Sequence, residues 1–337
     1  MSLDISPHYP VMLNEVIDLI QNSKKNTIVD CTFGCGGYSK KILELFPQFK
    51  IIAIDRDPSV QKFAEIIQNK FKKRFFFIND KFSNIETIIQ PYQDDIGFFI
   101  FDFGISSYQL DNYERGFSFN SESKLDMRMG KNAISAFELI NEASLEDLTN
   151  IIKLFGEDSD CKKIANTIVR ERKNKQIIST KNLRDIILKA KGNRYFKKDP
   201  CTKTFQAIRM IVNQELTEIF NTLKKTLEIC KNDTGIAVVT FHSLEDKIVK
   251  KIFNISHDTK KNPSRYIPRI IQADQKTYLE KINKKAEKPT SSELEINSRS
   301  RSAKLRSVIK KGSDAIIINR NILNMEKWFA LEEKYNV

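Results

Sequence analysis

Over the first hundred residues, short runs of β-branched and aromatic side chains alternate with stretches whose apolar residues recur every three to four positions. The runs at 27–30, 51–55, 75–78 and 96–103 read as strands, and 38–46, 58–71 and 83–90 read as helices. An amphipathic segment at 11–20 precedes them. Pro58 suits a first helical turn, and Ser83 with Glu86 three residues on suits a helix start. A βαβα order predicts a parallel sheet joined by right-handed crossovers.

From 112 to 204 the alternation stops. Helical spacing continues at 133–141, 145–155, 161–173 and 180–189 without a convincing strand. A long helical pattern at 205–230, a strand run at 235–241 and a helix at 243–253 follow, with late apolar runs at 305–309 and 315–318. The simplest organisation is one α/β domain, residues 1–111 with 205–337, split by a helical insertion at 112–204.

Composition narrows the class. The 337 residues carry 56 Lys or Arg against 43 Asp or Glu, a net charge of +13, and 40% are hydrophobic. Such a chain is globular rather than disordered, and its charge points to a polyanionic partner. The charge is uneven: residues 257–311 hold fifteen Lys or Arg and six Asp or Glu. This segment reads either as a solvated loop or as a loop that contacts phosphates. Five scattered cysteines argue against a secreted disulfide framework. No apolar stretch approaches the ~18 to 20 residues that span a bilayer. A cytoplasmic protein without membrane contact is expected.

The strongest chemical signal is Asp30-Cys31-Thr32-Phe33-Gly34-Cys35-Gly36-Gly37-Tyr38, placed after the first strand and opening the first helix. Glycines here allow a sharp turn and close approach to a ligand. Asp55, at the tip of the next strand, is placed to accept hydrogen bonds from ribose hydroxyls. A strict dinucleotide fingerprint would need glycine where Ser39 stands, so S-adenosylmethionine is the better fit. Asp80 or Phe82, after the third strand, can flank an adenine or serve as helix cap and core aromatic.

Asp102-Phe103-Gly104 ends the fourth strand, where an acceptor group should arrive. A carboxylate after so apolar a strand is costly to bury unpaired and belongs at the open edge. His242, after the 235–241 run, reaches the same edge and can move a proton, position a ligand or cap a helix. Cys31 and Cys35 make a poor zinc site, and no metal is expected. Pro200-Cys201 is badly placed for nucleophilic chemistry on cytosine.

Taken together, His8–Glu15, Asp30–Ser39, Ala53–Pro58, Ser106–Asp111, Arg115–Phe119, Leu125–Met129, Thr204–Arg209 and Phe241–Asp246 resemble, in order, the RsmH (MraW) family of bacterial small-subunit ribosomal RNA cytosine-N4 methyltransferases. The resemblance implies a class I, Rossmann-like methyltransferase fold with a helical insertion. It implies S-adenosyl-L-methionine as methyl donor and, as acceptor, the exocyclic amine of a cytidine in the decoding region of small-subunit ribosomal RNA. Carried onto this chain, the cofactor contacts fall on Gly36, Gly37, Tyr38, Asp55, Phe82, Asp102 and Gln109. Asp102 and His242 are the catalytic candidates. The family usually has Gly at Cys31, a basic residue at Cys35, His at Tyr38 and Pro at Tyr108, which leaves a side-chain role for Tyr38 open. The partner is the RNA or the 30S subunit, and a homodimer is allowed. A non-catalytic, cofactor-binding ribosome assembly factor would keep Asp55 and the glycines but need no amine site at Asp102.

Overall fold

The computed structural model describes residues 10–120, 122–130, 134–197, 199–255, 278–312 and 314–336. In chain order the first elements are α1 (Leu13–Ile20), β1 (Thr27–Asp30), α2 (Gly37–Leu45), β2 (Lys50–Asp55), α3 (Gln61–Phe71), β3 (Phe75–Asn79), α4 (Ile85–Ile89) and β4 (Ile96–Asp102). Helices alone follow: α5 (Ser107–Asp111), α6 (Ala136–Glu142), α7 (Leu145–Leu154), α8 (Cys161–Asn174), α9 (Thr180–Lys191), α10 (Thr202–Asn213) and α11 (Glu215–Ile229). The chain then forms β5 (Gly235–Thr240), α12 (Ser243–Ile252), β6 (Leu279–Lys281), α13 (Ser291–Ile296), β7 (Lys304–Lys310) and α14 (Glu326–Lys334).

The described residues divide into two compact units, Met1–Gly104 with Ile219–Asn324 and Ile105–Glu218 with Met325–Val337. The first holds a seven-stranded sheet in the order β3-β2-β1-β4-β5-β7-β6. Strands β1 to β5 pair in parallel, whereas β7 runs antiparallel to both β5 and β6. The central strands β1 and β5 are buried along their whole length, and β4 up to Phe101. Such continuous apolar runs belong to parallel strands covered on both faces.

Local chemistry explains the starts of several elements. The Asp57 side chain accepts from Ser59 N ahead of Pro58, which opens a short 3₁₀ turn before α3. Ser83 does not cap α4: it lies within a 3₁₀ turn, and Asp80 takes Lys81 N and Asn84 Nδ2 instead. The apolar run at 315–318 forms no strand. Ile316 and Ile318 are buried and Ile316 N donates to the Leu227 carbonyl, so the run covers α11 rather than joining the sheet.

The unit boundaries differ from an insertion confined to 112–204. Residues 105–111 and 205–218 lie in the helical unit, and so does the C-terminal segment from Met325. The continuous pattern at 205–230 is broken at Gln214, which adopts a left-handed conformation (φ 50°, ψ 40°). The new helix α11 takes its N-terminal partner from α14. Glu332 Oε1 accepts from Leu216 N (3.0 Å), and Oε2 accepts from Thr217 N (2.8 Å) and Thr217 Oγ1 (2.6 Å). Glu332 is fully buried, and burial pushes its carboxyl up to about 8. Orphan helix N–H groups need such partners, so α14 completes the helical unit rather than decorating it. Phe329, also buried, and Trp328, whose indole N–H donates to Leu154 O, hold α14 in place. Lys334 Nζ and Tyr335 OH both reach Asp147 Oδ2 at 2.7 Å.

Replacing Glu332 by Ala removes an acceptor from three donors at once. Chemical denaturation should show a loss of about 2 kcal/mol, with Glu332→Gln losing less; an unchanged midpoint for the Ala variant would contradict this capping role.

Candidate active site

The carboxyl ends of the parallel strands gather the candidate residues of the sheet unit. After β1 the chain turns through Gly34 (φ 55°) and Gly36 (φ 79°) into α2. The glycines are required first by the protein itself. A Cβ on Gly36 would lie 2.4 Å from Ile67 Cδ1 and 2.7 Å from Phe33, and one on Gly37 would lie 2.3 Å from Pro10 Cγ. Tyr38 is buried and its hydroxyl donates to the Val11 carbonyl, so its side chain ties the N-terminal segment to α2. Any ligand contact it makes is left to its backbone. Ser39, where a dinucleotide fingerprint has glycine, donates to Asp30 Oδ2 at 2.6 Å.

Asp55 closes the loop. Its Oδ2 accepts from Gly34 N (2.8 Å) and its Oδ1 from Asp57 N (2.9 Å). Each oxygen keeps a further lone pair, the pattern that a vicinal diol can use. Burial pushes the Asp55 carboxyl up to about 6, against the two backbone N–H bonds. Phe82, half-buried after β3, lies 5.9 Å between ring centroids from the buried Phe103.

Asp102 ends β4 opposite Val239 of β5. Its backbone N–H donates to Thr32 Oγ1 at 2.7 Å, while its buried Oδ1 has no hydrogen-bond partner. Burial raises its carboxyl well above the usual range, and the negative charges of Asp30, Glu245 and Glu293 raise it further. Asp30, fully buried, is itself pushed up to about 6 by burial. Among the described residues no cation offsets Asp102, so this edge is poised for a positively charged or hydrogen-donating ligand.

His242 serves as N-cap of α12: its Nδ1 accepts from Glu245 N at 3.4 Å. Its Nε2 lies 3.0 Å from Glu245 Oε1, though out of line for a hydrogen bond. Glu245 Oε2 reaches back to the N–H groups of Phe241 (2.7 Å) and His242 (3.2 Å). Both ring nitrogens thus face Glu245. Gln109 belongs to the helical unit, where its side-chain carbonyl accepts from Ser106 N (3.1 Å) and closes the capping box of α5. Cys31 is buried with its thiol pushed well up, and burial raises Cys35 to about 11 and Cys201 to about 12, so none is a thiolate at neutral pH.

Three contributors were not singled out from sequence. Asp30 supplies charge beneath the loop, and Thr32 fixes the end of β4 through its hydroxyl. Glu293 accepts from Met12 N at 2.8 Å, beside the segment that holds Tyr38. For Glu293 the available signal was Thr290 three residues earlier, which caps α13 by accepting from Glu293 N.

The strand order, the glycine turn after β1 and the acid ending β2 define a Rossmann-like methyltransferase fold. A family model described as the MraW methylase family matches residues 5–311, and the chain belongs to that family. Similar curated proteins include two from Rickettsia bellii, strains RML369-C and OSU 85-389. Each is 42% identical over 304 residues, covering 90% of this chain and 99% of the relative. One from Rickettsia conorii is 41% identical over 302 residues, covering 90% and 97%. All three bear the name ribosomal RNA small subunit methyltransferase H. A solved rRNA methylase from Streptococcus thermophilus aligns over 86% of this chain and 89% of its own at 10% identity, with a TM-score of 0.37, too low to carry an argument.

The unpartnered carboxyl makes a stability prediction with a definite sign. A folded-state pKa raised above the ordinary 3.8 penalises the ionised form, so the penalty is absent below about pH 4 and grows as pH rises toward the folded pKa. Asp102→Asn should therefore stabilise the ligand-free protein at neutral pH, with the advantage fading in acid. Denaturation at pH 4 and pH 7 measures it, and equal effects at both would refute the argument.

Proposed function

We propose that this chain transfers a methyl group from S-adenosylmethionine to the exocyclic N4 amine of a cytidine in the decoding region of small-subunit ribosomal RNA. The observation that carries the reading is the buried, unpartnered Oδ1 of Asp102 at the end of β4. Family membership and the names of the relatives support the RNA and the reaction class.

The donor supplies an electrophilic methyl group on a positively charged sulfonium. The residues of the sheet edge suit it. Asp55 offers one free lone pair on each oxygen to the ribose hydroxyls, and Phe82 offers an apolar face to the adenine. The backbone of Gly36, Gly37 and Tyr38 would hold the methionine end. The negative charges of Asp30, Glu245 and Glu293 beside Asp102 favour a cation and oppose a pyrophosphate, which argues against a dinucleotide.

The amine of cytosine is a weak nucleophile because its lone pair is delocalised into the ring. Asp102 and the carbonyls of the Phe103-Gly104 turn accept hydrogen bonds from that amine and orient its lone pair, so positioning supplies most of the catalysis. The methylated amine cation then sheds its proton readily, so no strong base is required. His242, turned toward Glu245, holds the strand end rather than moving a proton. A base in folded RNA must be unpaired or extruded to reach such an edge.

The basic segment 257–311 contributes less uniformly than its composition implied. Residues 256–277 lie outside the described residues. Further on, β6, α13 and β7 replace the expected loop because Leu279, Leu305 and Val308 are buried in the sheet. Lys304 and Arg306 pair with Asp246, Lys311 pairs with Asp233 and Glu280, and the buried Lys310 donates to the carbonyls of Gly312 and Asp314. Lys284, Lys285 and Lys288 stay exposed and are the phosphate-contacting candidates.

Asp102→Ala should lower transfer of labelled methyl to unmodified small subunits by at least about 100-fold; near-normal turnover with the fold and cofactor binding intact would sink the amine-orienting role. Changing Lys284, Lys285 and Lys288 together to Ala should flatten the slope of log affinity against log salt by about two to three. An unchanged slope would return them to solvated surface.

A further inference from the structure

We infer that Tyr195 is a base-stacking contact of the helical unit for an unpaired nucleotide of the RNA substrate. The inference rests on the reading that this chain acts on RNA and adds a residue to it. Tyr195 is 93% exposed, the most exposed large apolar or aromatic side chain among the described residues. A single exposed ring needs no explanation by itself. Three features of its surroundings make this one different.

The loop that presents it is firmly built. At its start, Lys191 forms an ion pair of 2.6 Å with Asp158, both side chains almost fully buried. Arg194 donates to the Lys191 carbonyl (2.8 Å) and pairs with Asp160 (2.6 Å). At its end, Asp199 accepts from Cys201 N (2.8 Å) and pairs with Arg184 (3.4 Å). A ring held out by a loop anchored on both sides loses little entropy when it meets a partner.

The neighbouring ring takes the local cations. Lys191 Nζ and Arg194 Cζ lie 5.4 and 5.3 Å from the centroid of the half-buried Phe196. Phe196 therefore serves the loop, and Tyr195 serves nothing within it.

The charge then chooses the partner. Between Leu188 and Asp199 the sequence has Lys189, Lys191, Arg194, Lys197 and Lys198 and no acidic residue. Lys189, Lys191 and Arg194 are matched by Glu171, Asp158 and Asp160, and Lys197 stays exposed. Lys162 and Lys163, exposed at the start of α8, follow directly on the Asp160 that Arg194 grips. A protein-binding patch centres on apolar and aromatic residues with lysine depleted, whereas here Gly192, Asn193, Arg194 and Lys197 surround a lone tyrosine. An aromatic ring beside the exposed Lys197, with Lys162 and Lys163 exposed on the neighbouring helix start, is the arrangement used on single-stranded nucleic acid, where the ring stacks on a base and the cations meet the phosphates.

The test uses the full chain, small subunits lacking the modification and a single-stranded oligoribonucleotide. Tyr195→Ala should raise the KM for subunits and weaken oligonucleotide binding about tenfold, with kcat within about twofold and the salt slope as in the wild type. Tyr195→Phe should restore binding, because the ring and not the hydroxyl stacks. Lys197→Ala should instead lower the salt slope by about one. Ile317→Ala, at a position 80% exposed in the sheet unit, is the control.

The inference is overturned if Tyr195→Ala matches the control, if Phe fails as badly as Ala, or if Tyr195→Ala changes only the sedimentation state and so marks a protein contact. Should the wild type transfer no methyl, the proposed function fails on its own, and oligonucleotide binding by wild type and Tyr195→Ala still decides the role of the ring.

Discussion

The sheet edge is organised by the cost of taking carboxylates out of water without giving them cations. Asp30, Asp55 and Asp102 all stand at or beside strand ends with raised proton affinities. Asp30 and Asp55 are tolerated because hydroxyl and backbone N–H groups converge on them. Asp102 has no such relief at Oδ1. A fold keeps an unpaired buried carboxyl where something else is improved by it, and the destabilisation is then a stored preference for the ligand that relieves it. Hydrogen bonds from Ser39 to Asp30 and from Asp102 N to Thr32 hold the geometry rigid while leaving that preference unspent.

A second constraint, packing, leaves no room for a Cβ in the glycine turn. Gly36 and Gly37 are packed against Ile67, Phe33 and Pro10, so the loop is fixed before any ligand arrives. Asp55 fastens it by accepting from Gly34 N. A preformed loop spends none of the binding energy on ordering itself. The glycine spacing was legible from sequence, but its first cause was not: the expected close approach is to the protein's own side chains.

Much of the sheet was legible because its strands carry their own signal. The β4 run is apolar from Ile96 to Phe101, and the alternation of strand and helix fixes a parallel core. What escaped depends on partners far away in the chain. The break at Gln214 hides inside continuous helical periodicity, because the acceptor that lets α11 begin afresh is Glu332, more than a hundred residues on. α14 escaped for the reciprocal reason: its key buried side chain is a glutamate, which sequence patterning counts as surface. β6 is only three residues long and exists through its pairing with β7. The site followed the same division. The strand-end positions of the candidates Asp102 and Asp55 were legible in the sequence, while Glu293 accepts from a backbone N–H 281 residues away.

Charge was the least transferable of the sequence signals, because a lysine count does not say which lysines are already spent. In the described part of 257–311, Lys304, Arg306, Lys310 and Lys311 are committed to ion pairs or carbonyls of the sheet unit. The loop at 192–199 shows the opposite case. It adds little to the net charge, yet the buried Lys191–Asp158 pair anchors a segment whose Lys197 and one bare ring face solvent. Salt-dependent affinity follows the cations that still have counterions to release, not the total. The RNA-facing charge of this enzyme family member is therefore better sought in the few basic residues that the fold leaves unsatisfied than in its most basic stretch.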